Sequence, residues 1–162
     1  MNDVLGRMAV IVMSALLMFV APVYIMANRM DQSAQTYMDN AVQEFVDKVR
    51  ATGVIRAEEY ERLANSLDGI QPCCDINIVI SMKQVVPADG GMFTYYKDVY
   101  TGEILDIMYP GEASVYLSEG DYIQVTVKTT QPTMAQRMFS GDKYVPLFFT
   151  YGGQIGDGGK AS

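Results

Sequence analysis

Residues 8–27 read MAVIVMSALLMFVAPVYIMA, twenty positions without a charge. At 1.5 Å rise per residue, about 20 helical residues span about 30 Å, the hydrocarbon thickness of a bilayer. A core helix of a small soluble domain keeps a polar face, and this stretch has none. The segment is therefore expected to be a membrane-spanning stem, with Met8, Val10, Ile11, Leu16, Leu17, Phe19 and Ile25 turned toward lipid or neighbouring helices. Arg7 and Arg29 bracket it, and Tyr24 lies near one end, where an amphipathic ring suits the interface. Pro22 removes one backbone hydrogen bond and predicts a kink, which a membrane helix tolerates.

The competing reading is a cleaved signal peptide. Its apolar region is usually 7–15 residues long, shorter than this run. A cut after Ala27 would have Ile25 where a small residue is expected, and a cut after Ala21 would face Pro22. Arg7 against Arg29 leaves the positive-inside comparison nearly tied. The few residues before the stem favour a cytoplasmic N-terminus, with the folded part outside the cell.

The helical pattern continues past the stem. Met30, Ala34, Tyr37, Met38, Ala41, Val42, Phe45, Val46 and Val49 recur at steps of three and four, with Asp, Gln, Glu and Lys between them. This predicts an amphipathic helix whose packing stripe includes Tyr37, Met38, Val42, Phe45 and Val49. The stripe packs on the domain or, alternatively, on a coiled-coil partner. No Gly or Pro intervenes between Pro22 and Gly53, so stem and amphipathic helix read as one rod ended by Gly53. A second helix is expected near Arg56 to Leu67, stopped at Asp68-Gly69, with Glu58, Glu59 and Glu61 toward solvent or the helix start.

Beyond it the period changes to two. Asp75 to Val86 places Ile76, Ile78, Ile80 and Met82 on one face of a strand. Ala88-Asp89-Gly90-Gly91 is turn chemistry before a second strand, Met92 to Tyr100. Glu103 to Tyr109, between Thr101-Gly102 and Pro110-Gly111, is ambiguous. Tyr122 to Thr129 alternates clearly, and Tyr144 to Tyr151 reads as a last strand, at an edge because of Pro146. Short loops favour an antiparallel sheet. The fold class is α+β: a long N-terminal transmembrane and amphipathic helix, a short second helix, then a small antiparallel β-sheet. The expected organisation is 1–7 cytoplasmic, 8–27 transmembrane, 28–52 amphipathic, 53–151 an extracytoplasmic domain, and 152–162 a flexible tail.

Twelve Lys and Arg against nineteen Asp and Glu give a net charge of −7. One of each, Arg7 and Asp3, precedes or borders the stem, so the rest carries the same −7. That sign repels phosphate backbones, and nucleic-acid binding is not expected. With no histidine, imidazole-based triads, metal ligands and pH switches are excluded. Neither the acids Glu58, Glu59 and Glu61 nor the C-terminal glycines with Asp157 form a catalytic or phosphate motif, so neither enzyme nor cofactor is expected. The eleven tyrosines suit a sheet rim or an adhesive surface. Cys73 and Cys74 follow Pro72 and have no third partner. Their states are a strained vicinal disulfide, intermolecular bridges or free thiols, since neighbouring Cα atoms lie about 3.8 Å apart and ordinary bridges prefer 4.4–6.8 Å.

A hydrophobic stem running into an amphipathic helix and then a small sheet resembles the type IV pilin architecture. The run from Gln43 to Ile80, QEFVDKVRATGVIRAEEYERLANSLDGIQPCCDINIVI, is similar to TadE-like pilin-related proteins of Tad (Flp) pilus loci in Gram-positive bacteria. The resemblance implies a structural subunit of a surface pilus or related secretion apparatus. Its partners would be the lipid bilayer and other pilin-like subunits or copies of itself, joined through the stem. A prepilin cut after Gly6 would place Ile11 at the fifth mature position, where the family usually has glutamate, and no glutamate precedes Glu44. The resemblance therefore implies a minor, unprocessed or accessory subunit.

Overall fold

The structure is a computed structural model describing residues 2–69, 74–88, 91–109, 113–139 and 145–156. A single helix, α1 (Asn2–Thr52), runs through Pro22 without interruption. Gly53 ends it with φ 67, a left-handed conformation that favours glycine, while its N–H donates to the Val49 carbonyl. The next elements are β1 (Val54–Ile55), α2 (Ala57–Asp68), β2 (Cys74–Ala88), β3 (Gly91–Tyr100) and α3 (Thr101–Met108). After them come β4 (Val115–Tyr116), β5 (Tyr122–Thr129), α4 (Met134–Phe139) and β6 (Phe148–Gln154). The layout is the α+β one predicted.

Two compact units divide the chain. The first joins Met1–Ala34 with Pro132–Val145. In it Thr133 caps α4: its hydroxyl accepts from the Gln136 N–H at 3.2 Å and donates to Asp31 at 2.6 Å. The Tyr24 and Phe139 rings meet edge to face, with centroids 5.1 Å apart.

The second unit, Gln35–Gln131 with Pro146–Ser162, holds the sheet, ordered β3-β2-β5-β6 and antiparallel throughout. Its buried face presents Ile78, Ile80, Val99, Ile123, Val125 and Val127, which cluster with Met38, Val42, Phe45, Val46 and Val49 of α1. The apolar stripe is thus the core of this unit. Tyr37 departs from the expectation. It is 52% exposed because it sits one residue, about 100°, around the helix from buried Met38. Leu63 and Leu67 attach α2 to the same core. Ile104 and Met108, four apart and both fully buried, explain why the ambiguous segment is helical.

Register makes β2 longer than its neighbour on one side. Its pairing with β5 ends at Ser81↔Tyr122, whereas pairing with β3 continues to Ala88↔Gly91. Asp121 closes the gap: its carboxylate accepts from the Lys83 and Ser118 N–H groups, each at 2.7 Å, in place of the missing strand. Residues beyond Ser81 form a ribbon two strands wide.

Two boundaries are corrected. The last strand starts at Phe148, and Tyr144 lies outside the described residues. The segment expected to be a flexible tail from Gly152 instead completes β6 through Gln154, and Ile155 is buried. The Arg50 Nε–H donates to the Gln154 carbonyl at 3.0 Å. Asp89, Gly90, Pro110, Gly111 and residues 157–162 lie outside the described residues.

Candidate membrane stem and helix groove

Between Met8 and Met26, fourteen large apolar side chains are 45–79% exposed. The predicted stem residues Met8, Val10, Ile11, Leu16, Leu17, Phe19, Pro22 and Ile25 are all among the exposed positions. Burying one such side chain contributes about 1.5–3 kcal/mol. Scaled to their exposure, fourteen of them together match or exceed the 5–15 kcal/mol that typically stabilises a whole domain, so this surface favours an apolar environment. The helix holds an 18-residue window of mean hydropathy 2.4, none of it buried within the protein. By length and composition it is long and apolar enough to cross a membrane.

Alongside α1, within the second unit, lies a groove of about 220 Å³. Tyr37, Asn40, Glu44 and Lys48 line one wall, with Glu59 and Arg62 of α2 opposite. Glu59 corrects the expectation of a solvated acid. Its side chain is only 7% exposed, and Oε1 meets the Lys48 ammonium at 3.1 Å. Its Oε2 has no hydrogen-bond partner. Helical periodicity places Glu59 near the start of α2 but carries no information about Lys48, eleven positions upstream across the Gly53 turn. Glu58 and Glu61 are exposed as expected.

A second depression, of about 330 Å³, lies where α2, α3 and the start of β2 converge. Tyr60, Leu67, Asp68, Asp75, Ile76 and Leu105 line it, and among the described residues no lysine or arginine does. Burial raises the Tyr60 pKa above its ordinary 10.0, helped by Tyr109 and Asp75. The Tyr109 hydroxyl donates to Glu61 at 3.4 Å, and that carboxylate contributes to the upward shift of the Tyr109 pKa, after desolvation.

Cys74 is half-buried at the head of β2, opposite Thr129, and Cys73 lies outside the described residues. Among the described residues, no group of three or more His, Cys, Asp or Glu is placed to hold a metal ion. The tyrosines partly fit a sheet rim: Tyr95, Tyr96, Tyr100 and Tyr122 are exposed on β3 and β5. No protein-family model, curated protein or solved structure matches the chain.

Proposed function

We propose that the chain is a membrane-anchored structural subunit of a cell-surface pilus or pilus-like secretion apparatus, acting as a minor or accessory pilin-like protein. One observation carries this reading. The helix whose first half is a bare apolar surface supplies, without a break, the core helix of the sheet unit. A covalently continuous stem of this kind can exchange lipid for the stems of neighbouring subunits while the acidic sheet unit stays in water. The stem is retained in the mature protein, and the sheet unit faces away from the cytoplasm.

Mass spectrometry of filaments sheared from cells should recover the chain with residues 8–27 intact. Absence from both filaments and assembly complexes would remove the proposal. Protease added to intact cells should digest the sheet unit, and full protection would overturn the orientation. N-terminal sequencing that starts the mature protein beyond Ala27 would establish a cleaved signal instead.

A second reading, a tethered binding module, draws on the groove between α1 and α2, where Glu59 leaves a carboxylate oxygen unpartnered. Replacing Met8–Ala27 by an unrelated apolar helix separates the two. A tethered module keeps its activity, whereas a stem that packs on other stems loses assembly.

A further inference from the structure

Among the described residues up to Ala34, only Ala27 is buried. It lies between Tyr24 and Asp31 on one face of α1, three residues from the first and four from the second. Both of these hold the segment that shares their compact unit, Pro132–Val145. Tyr24 meets the Phe139 ring with centroids 5.1 Å apart, and Asp31 accepts from the Thr133 hydroxyl at 2.6 Å. Position 31 pairs with 133 and 24 with 139, so α4 runs antiparallel to α1. The lengths agree, since Tyr24 to Asp31 rises about 10 Å and Thr133 to Phe139 about 9 Å. Val145 is tied to the same short helix, its carbonyl accepting from the Gln136 side-chain amide at 2.7 Å.

Height along the stem decides what surrounds this contact. With residues 8–27 spanning the hydrocarbon, Ala27 marks its edge. Tyr24 then lies about 5 Å inside that edge and Asp31 about 6 Å outside it. The polar border of a bilayer is about 5–8 Å deep on each side, so α4 descends through it from Thr133 to Phe139. Its side chains suit that medium. Arg137 is exposed, and Met138, Phe139 and Val145 are 54%, 37% and 62% exposed. At the border, apolar groups of this kind enter the acyl chains while a guanidinium reaches the headgroups. Nor is the patch isolated, because Tyr24, itself 50% exposed, joins it to the apolar surface of the stem.

We infer that α4 and Val145 form an interfacial anchor, with Met138, Phe139 and Val145 entering the headgroup–acyl boundary of the bilayer beside the emerging stem. Lipid is the partner because the patch continues a surface whose own medium is lipid, at the depth where that medium ends. Tied to α1 at two heights, α4 cannot slide along it, so the anchor fixes the depth at which α1 leaves the membrane. The inference rests on the membrane reading of the stem, and it holds whether or not stems assemble into a filament.

The test places the native full-length chain in phosphatidylcholine vesicles containing a phospholipid with a photoreactive diazirine at a shallow or a deep acyl position. After irradiation, mass spectrometry maps the lipid adducts. The shallow probe should label Met138, Phe139 and Val145 about twofold or more better than the deep one, and residues around Leu17, midway along 8–27, should show the reverse order. A second reading uses Met138→Trp, the sole tryptophan of that chain, at an exposed position. Its fluorescence should be quenched more by lipid brominated at a shallow acyl position than at a deep one, with circular dichroism checking that the variant is folded. A labelled stem with no lipid adduct on Met138, Phe139 or Val145 overturns the anchor and leaves the membrane reading standing. A stem that is unlabelled as well overturns both. Stronger labelling of the patch by the deep probe also overturns the anchor. So does labelling that falls as the protein is crowded in the bilayer, which would show a second copy covering the patch.

Discussion

A methyl group added at Gly152 would sit 2.6 Å from the Ile123 carbonyl oxygen, and one at Gly153 would sit 2.6 Å from Arg50 Nε. Neither position has a positive φ. The need for glycine there is close approach, first to a paired strand and then to the guanidinium that clasps Gln154. The Gly152 neighbour is backbone and cannot swing aside, so Gly152→Ala should destabilise the sheet unit by about 1–3 kcal/mol. Thermal unfolding of the full chain in detergent, followed by circular dichroism, measures it. Asp39 presents a different cost. Its Oδ1 is buried without a hydrogen-bond partner, and burial raises its pKa above the ordinary 3.8. Below 3.8 both folded and unfolded forms hold the proton. As pH rises the unfolded chain releases it first, so Asp39 erodes stability up to its own raised pKa, above which the penalty is constant. Asp39→Asn should therefore raise the unfolding temperature at neutral pH, with the gain vanishing below pH 3.8. An equal gain at every pH would show that ionisation is not the cause.

At the scale of elements, β2 is held where its neighbours stop. On one side the Thr101 hydroxyl accepts from the Ile78 N–H at 2.7 Å, just past the last β3 pair. On the other, Asp121 takes the Lys83 N–H where β5 has ended. Asp121→Ala leaves the Lys83 and Ser118 amides without this acceptor and should cost about 1–3 kcal/mol. Hydrogen exchange read by mass spectrometry should accelerate at both amides before it does in the centre of β5. The joint between α1 and α2 rests on Leu63, Leu67 and the Lys48–Glu59 pair. Lys48 is 44% exposed, so solvent screens the pair, and Glu59→Ala is expected to cost about 1 kcal/mol. A double-mutant cycle with Lys48→Ala isolates the coupling.

For the whole molecule, the two halves of α1 impose opposite solvent requirements on one covalent rod. The first half exposes its apolar side chains, and the second hides them against the sheet. Full-length protein should stay dispersed in detergent or lipid and aggregate when detergent is withdrawn, as sedimentation will record. A chain that remains monomeric in buffer would show that the exposed surface is covered in some other way.

Periodicity and composition alone were enough for the rod, the short α2, the four strands of the main sheet and the α+β class, because hydrophobic spacing reports directly on which side of an element meets water; the two-residue strands β1 and β4 are too short to show a period. The apolar stretch before Asn28 and the acidic balance were equally legible. What depended on tertiary structure was every feature made by residues distant in sequence: Glu59 buried beside Lys48, Tyr37 left outside the stripe, and Gly152 and Gly153 drawn into β6 by β5 and Arg50. The ribbon past Ser81 belongs with these, since its exposure follows from where β5 ends rather than from its own residues. Local spacing encodes a preference for burial, but which neighbour supplies that burial, or fails to, is decided only when strands and helices meet.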